Sequence, residues 1–436
     1  MMSLKKERTF PLLLFLLTSI ILTPSIKSHS SNEEICLPSF DPQIDDQIEE
    51  IMNQTHIKSS TVAVIRNNSI IWAKGYGEQQ RLDLIYMMGS VAKTITGTAI
   101  FKLFEDGLLD LDDDVNDYLP FSLRHPNFTN IAITIRMLLT HYSGLNRTSS
   151  LYDYITMQEP LRDLGWENPY DGAQYPDWIG EHLTPTGSLY EPSAWSIYEP
   201  GTYRIYSNMG YTVLSYIIQL VSGKPIWDYL QEKIFDPLEM TSTGYNYTLF
   251  DESQLAIPYI YMFELDNDTT GNKAYPHHNA EAYGAGSIRS NIYDLARYLM
   301  IHMHGGISNG TRILNETTIK TMHQLRGPLL EPGDEWLNWG GWGGTEGDTW
   351  CFHTKAKYYE GNTTVPYGVI TFVNQGMDEA RDACFDICEL LQVYVHEYDQ
   401  LECKNIPGFT KAVSISSLIL LVFIFTKKRK NSTKNQ

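Results

Sequence analysis

Apolar residues at helical spacing from Ile44 to Met52 predict a short helix near the start of the globular part of the chain. Two apolar runs follow, Ser60–Arg66 and Ser69–Lys74, separated by Asn67-Asn68, and read as a hairpin. Ser90–Glu105 is helical and stops at Gly107; Tyr211–Val221 is a helix that ends at Ser222-Gly223. Asn291–His302 is a further helix, Val365–Asn374 a strand, and Met377–Tyr398 a long amphipathic helix. Residues 146–200, rich in Tyr, Pro, Gly and Trp, read as a long irregular region. Strands near both ends with helices between them predict an α+β fold. Its antiparallel sheet is built from both chain ends, flanked by helices, and carries a mainly helical inserted lobe.

Both termini depart from this globular pattern. Residues 1–30 have a basic start (Lys5, Lys6, Arg8), an apolar run from Phe10 to Leu22 and small residues at Ser25, Ser28 and Ser30, as a secretory signal peptide does. After a domain over 33–400 and a linker over 401–411, Ala412–Thr426 is apolar and expected to be a transmembrane helix. The basic cluster Lys427-Lys428-Arg429-Lys430 opens a short inner tail, 427–436, and follows the positive-inside pattern. The expected location is the cell membrane, single-pass, with the globular domain outside. Sequons at Asn53, Asn67, Asn127, Asn146, Asn246, Asn267, Asn309, Asn315 and Asn362 agree with export and predict a glycoprotein.

The chain has 436 residues and a net charge of −19, which excludes a nucleic-acid partner because phosphate binding needs basic stripes. The five cysteines, Cys36, Cys351, Cys384, Cys388 and Cys403, fit no zinc spacing with the histidines, so no metal and no cofactor are expected. The acidic run Asp110–Asp117 lacks the Gly and Glu of a calcium loop and reads as a solvated turn. His277-His278 and the pair His302, His304 read as surface residues, and His141 as a packing residue of the turn at Ser143-Gly144.

Candidate chemistry begins at Ser90 and Lys93, in Gly89-Ser90-Val91-Ala92-Lys93. A serine in the first helical turn sits among free backbone N–H groups that favour negative charge. A lysine three residues on shares its face and can reach its oxygen, which makes the hydroxyl a candidate nucleophile. The spacing alone is not selective, since Ser3–Lys6 matches it too.

Five ordered segments supply the context. They are Gly89–Lys93 running into Phe104–Val115, Ile133–Leu145, Pro200–Tyr211, Pro237–Thr243, and Ala285–Ser290 with Asp294-Leu295-Ala296 after it. Together they resemble the serine β-lactamase and penicillin-binding-protein superfamily, and more narrowly the class C β-lactamase-like serine hydrolases. The resemblance implies a two-lobed domain with a sheet from both termini. It also implies that Tyr206-Ser207-Asn208 is the family's Y-x-N motif. Tyr206 would then share acid–base work with Lys93, and Asn208 would orient Lys93 and the substrate carbonyl. The resembled fold places the N- and C-terminal helices together, which implies a disulfide from Cys36 to Cys388 or Cys403.

The third family motif is altered. Family members place a cation, a small residue and a glycine on the strand beside the nucleophile; here Trp342, Gly343, Gly344 and Thr345 stand in that region. The N–H groups of Ser90 and Thr345 remain candidates for an oxyanion hole, which needs backbone donors only. Loss of the cation at Trp342 favours neutral or apolar substrates. The resulting expectation is a membrane-tethered extracellular serine hydrolase acting on a small-molecule, peptide or ester substrate through an acyl-serine. The alternative is a β-lactamase-fold binding or scaffold protein that is weakly active or inactive.

Overall fold

A computed structural model describes residues 42–147, 177–262, 271–275, 277, 283–325, 342–348, 351–359, 366–376 and 378–402. Five strands form the main sheet: β1 (Ser59–Arg66), β2 (Ser69–Gly77), β3 (Trp342–Asp348), β4 (His353–Tyr359) and β5 (Tyr367–Val373). Their order is β2-β1-β5-β4-β3, and every pairing is antiparallel. The first hairpin pairs directly with the last strand, with Thr61 opposite Phe372 and Val64 opposite Val369. The sheet therefore joins both ends of the chain, as the pattern of apolar runs predicts. Asn67 turns the first hairpin at φ 55°, a left-handed conformation that Asn adopts more readily than most residues.

Strand residues point alternately to opposite faces, and here both faces are buried. Val62, Val64, Val369 and Val373 pack on one side against α1 (Pro42–Gln54) and α5 (Asp378–Glu402), through Ile44, Ile48, Ile387 and Leu391. Ala63, Ile65, Ile370 and Phe372 face the other way. They share a core with Ile95 and Ile100 of α2 (Ala92–Glu105) and Leu295 and Ile301 of α4 (Ile292–Met303). The helical lobe includes α3 (Asn208–Ser222), which ends at Gly223 with φ 68°. The segment Thr241–Thr243 docks on α4 through Asp294. That carboxylate accepts from Ser242 N (2.7 Å), Thr243 Oγ1 (3.0 Å) and Arg297 Nη1 (2.9 Å), while burial pushes it above the usual carboxylate range.

Several expectations change. Cys388 is a buried thiol, with Gln392 Nε2 3.3 Å from its sulfur and burial pushing it up, so it forms no disulfide with Cys36. It faces the sheet from α5, where burial is what its helix position requires. Cys36 and Cys403 lie outside the described residues. His302 is not on the surface. It occupies the inner face of α4, its Nδ1 3.2 Å from His323 Nε2, and Tyr358 Oη is 3.2 Å from His323. Burial first, and the neighbouring His323 second, hold His302 well below the usual histidine range. The acidic turn is partly ion-paired rather than simply solvated: Asp112 binds Arg136 (2.7 and 2.9 Å), and Asp114 binds Arg124.

Among the described residues no helix is long and apolar enough to cross a membrane; the apolar stretches within 1–30 and 412–426 lie outside them. Asn53, Asn67, Asn127, Asn246, Asn309 and Asn315 are exposed. Asn146 differs, since its amide donates to Ser193 O (2.7 Å) and Trp195 O (3.1 Å), which occupies the nitrogen a glycan would need.

Candidate active site

Ser90 sits in a single 3₁₀ turn, Gly89–Val91, that runs into α2. Gly89 has φ 55°, a conformation that favours glycine and allows the chain to turn sharply into the serine. Lys93 follows one turn later and is fully buried. A buried ammonium needs partners. Lys93 Nζ donates to Ser90 Oγ (2.8 Å) and to the carbonyl of Ala285 (2.5 Å). It also lies 4.9 Å from the ring centroid of Tyr206 and 5.8 Å from that of Tyr211, within cation–π range.

The Ala285 carbonyl belongs to the short helix Tyr283–Gly286. Gly284 lets that turn press onto the lobe. A Cβ there would stand 1.7 Å from Ser215 Oγ of α3 and 2.9 Å from Thr96 Oγ1 of α2. The Gly-rich segment 284–286 is thus a packing requirement that delivers an acceptor to Lys93.

Tyr206 also reaches the serine, with its Oη 2.6 Å from Ser90 Oγ. It immediately precedes the cap of α3, where Ser207 Oγ accepts from Gly210 N at 3.1 Å. His141 steadies this corner. Its Nδ1 accepts from Ser207 N (3.1 Å), its carbonyl accepts from Ile205 N (2.8 Å), and its ring lies 4.6 Å from that of Tyr206. His141 itself has φ 65°. Its role is therefore larger than packing at Ser143-Gly144: it fixes the backbone on both sides of Tyr206. Asn208 is the first residue of α3, half-buried, with its N–H toward Arg147 O at 3.5 Å.

The sheet closes the site from the other side. β3 is the edge strand and packs beside the Ser90 turn. Thr345 is buried and pairs with Ala356, Gly344 with Lys357, and Trp342 with Tyr359. The side chain of Trp342 lies outside the described atoms. His353, the nearest basic residue in sequence after Trp342, is buried at the start of β4, opposite Asp348 and Val373. The structure thus brings Ser90 into direct contact with Lys93 and Tyr206 and sets β3, which carries Gly344 and Thr345, beside the serine turn. The sequence reading missed Ala285, because a backbone carbonyl carries no side-chain signature. Arg147, just past the family-like segment ending at Leu145, places its guanidinium carbon 5.9 Å from the Tyr206 ring centroid.

The beta-lactamase family model matches residues 44–383 of the chain. The chain belongs to the beta-lactamase family. Among curated relatives, a chain named as penicillin-binding protein PbpX in Bacillus subtilis (strain 168) is 29% identical over 247 residues, covering 55% of this chain and 54% of that one. Protein flp of Staphylococcus aureus (strain N315) is 30% identical over 224 residues, covering 50% and 41% respectively. The chain thus spans about half the length, or less, of the curated relatives it matches. Among solved structures, the octameric penicillin-binding protein homologue from Pyrococcus abyssi superposes with a TM-score of 0.62 at 24% identity, over 80% of this chain and 77% of that one. The D-amino acid amidase from Ochrobactrum anthropi SV3 gives 0.62 at 18% identity, over 82% and 99%. These likenesses show that the beta-lactamase-family chain has the β-lactamase/DD-peptidase fold.

Proposed function

We propose that this chain is an acyl-serine hydrolase of esters or amides, with Ser90 as nucleophile and Lys93 and Tyr206 as its acid–base pair. The observation that carries the reading is the serine oxygen held between two groups, 2.8 Å from an ammonium and 2.6 Å from a phenol oxygen. As Ser90 Oγ bonds to the substrate carbonyl carbon, its proton passes to the Tyr206–Lys93 pair. The same pair returns the proton to the leaving nitrogen or oxygen as that bond breaks. Water then enters by the reverse sequence and frees the acid and Ser90. The backbone N–H groups of Ser90 and Thr345, with Gly344 before it, supply the oxyanion donors. Asn208 contributes an amide toward the substrate.

Neighbours named as a D-amino acid amidase, a D-stereospecific amidohydrolase and a class C β-lactamase support the reaction class. Substrate choice is proposed from Trp342, which puts no cation on the strand wall and so favours groups that are uncharged there. Residues 1–30 and 412–430 support export and tethering to the outer membrane face, a proposal that alkaline extraction and protease protection of intact cells would test.

The experiment is labelling with a fluorophosphonate and a fluorescent penicillin side by side. Ser90-dependent fluorophosphonate labelling is expected, with weaker penicillin labelling. No labelling by either probe would favour the binding or scaffold alternative, for which Trp342 is the best support.

A further inference from the structure

Tyr206 meets more positive charge than its pairing with Lys93 provides. The guanidinium carbon of Arg147 lies 5.9 Å from the Tyr206 ring centroid, and the Arg147 side chain is exposed. The backbone carrying it is pinned. The Asn146 amide holds the Ser193 and Trp195 carbonyls, Leu145 bridges to Trp195, and the Arg147 carbonyl faces Asn208 N. A flexible cation is thereby anchored within one residue of a fixed point, on the ring that contacts the nucleophile. The chain carries 52 acidic against 33 basic residues, so an arginine at this ring is not a sample of a generally basic surface.

The groups facing Tyr206 include the Ser90 hydroxyl, the Lys93 ammonium, the His141 ring and the Arg147 guanidinium. Lys93 donates to Ser90 and Ala285. An additional cation near a phenol favours the phenolate, the form that accepts a proton from serine. Arginine suits the task because it stays charged at all working pH values and stacks on aromatic rings.

We propose that Arg147 is a positioning residue for the acid–base step: its charge holds Tyr206 toward the phenolate that takes the Ser90 proton. The proposal rests on the acyl-serine reading above. No atom of Arg147 bonds to substrate; the proton still moves between Ser90, Tyr206 and the leaving group. Because Arg147 is exposed, solvent and salt weaken its effect, and a shift of about half to one pH unit is expected.

The test is the pH dependence of kcat/KM on a neutral ester, para-nitrophenyl butyrate, which has no anion for arginine to bind. Arg147→Gln is expected to move the acidic limb up by about half to one pH unit, so that the loss is largest, roughly three- to tenfold, on that limb and fades at higher pH. Arg147→Lys should restore most of the wild-type limb, and high salt should move the wild-type limb toward that of Arg147→Gln. An equal loss at every pH with an unmoved limb would overturn the proposal, since that is the mark of a structural role. A second measurement does not depend on turnover. Phenolate absorbance of the wild type minus that of Tyr206→Phe reports Tyr206 ionisation, and Arg147→Gln should displace it to higher pH. If the chain hydrolyses no ester, the reading of function fails and this titration alone decides the inference. A Tyr206 titration indifferent to Arg147 would overturn it.

Discussion

The two walls of the site differ in how much of their function lies in side chains. The helical wall presents Ser90, Lys93 and Tyr206, whose reactive atoms touch at 2.6 and 2.8 Å, and each depends on a particular side chain. The strand wall presents β3, which packs beside the serine turn and whose proposed contribution is the backbone around Gly344 and Thr345. A backbone N–H survives almost any substitution. A cation does not, and the proposed reading puts Trp342 where a cation is expected from the family resemblance. The helical wall thus places its proposed chemistry in side chains, while the strand wall offers what a strand supplies regardless of sequence.

The largest effect should come from the helical wall. Ser90→Ala is expected to reduce ester hydrolysis by about 10⁴-fold or more while the fold persists, measured as kcat/KM alongside circular dichroism. Next, Tyr206→Phe removes the phenol that contacts Ser90 and should lower kcat/KM by roughly 10²–10⁴-fold. Retention of full activity by that variant would leave Lys93 as sole base and break the symmetry proposed for the pair.

Gly284→Ala asks whether the acceptor of Lys93 is set by packing. Its Cβ would collide with Ser215 Oγ, so a stability loss of about 1–3 kcal/mol is expected in denaturant titration. Gly284→Ala combined with Ser215→Gly should recover part of it. Neutral behaviour of the single variant would show that the Tyr283–Gly286 helix can move away from α3 freely. The smallest effect belongs to the strand wall. Trp342→His should raise cephalosporin turnover relative to that of a neutral ester by about tenfold, the worth of one charge-assisted contact. An unchanged ratio would mean that position 342 does not face substrate.

Most of the architecture was legible in the order of apolar runs. The near-continuous apolar runs in Thr61–Arg66 and in Val369–Val373 mark strands buried on both faces, and their places near the two ends of the domain agree with a sheet that joins those ends. Ser90, Lys93 and Tyr206 were legible because short motifs recur in a fixed order. What was not legible depends on contacts distant in sequence. Ala285 acts through its carbonyl. His302 looks like a surface residue until α4 is set against His323 and Tyr358. Lys355 and Lys357 give β4 a polar cast. Yet Lys355 is buried with its ammonium 3.7 Å from the Phe385 ring centroid, and burial lowers Lys357 from the usual lysine range. In each case the stem or ring is apolar enough to enter the core and only the tip misleads.

The central claim is that Ser90 carries the acyl group. Reaction with an activated ester, quenched during turnover and mapped by peptide mass spectrometry, tests it most directly. The account predicts an acyl adduct on the peptide containing Ser90 that is absent from Ser90→Ala and accumulates when Tyr206→Phe slows its hydrolysis. Sustained turnover with no adduct at Ser90, or with the adduct on another residue, would contradict it.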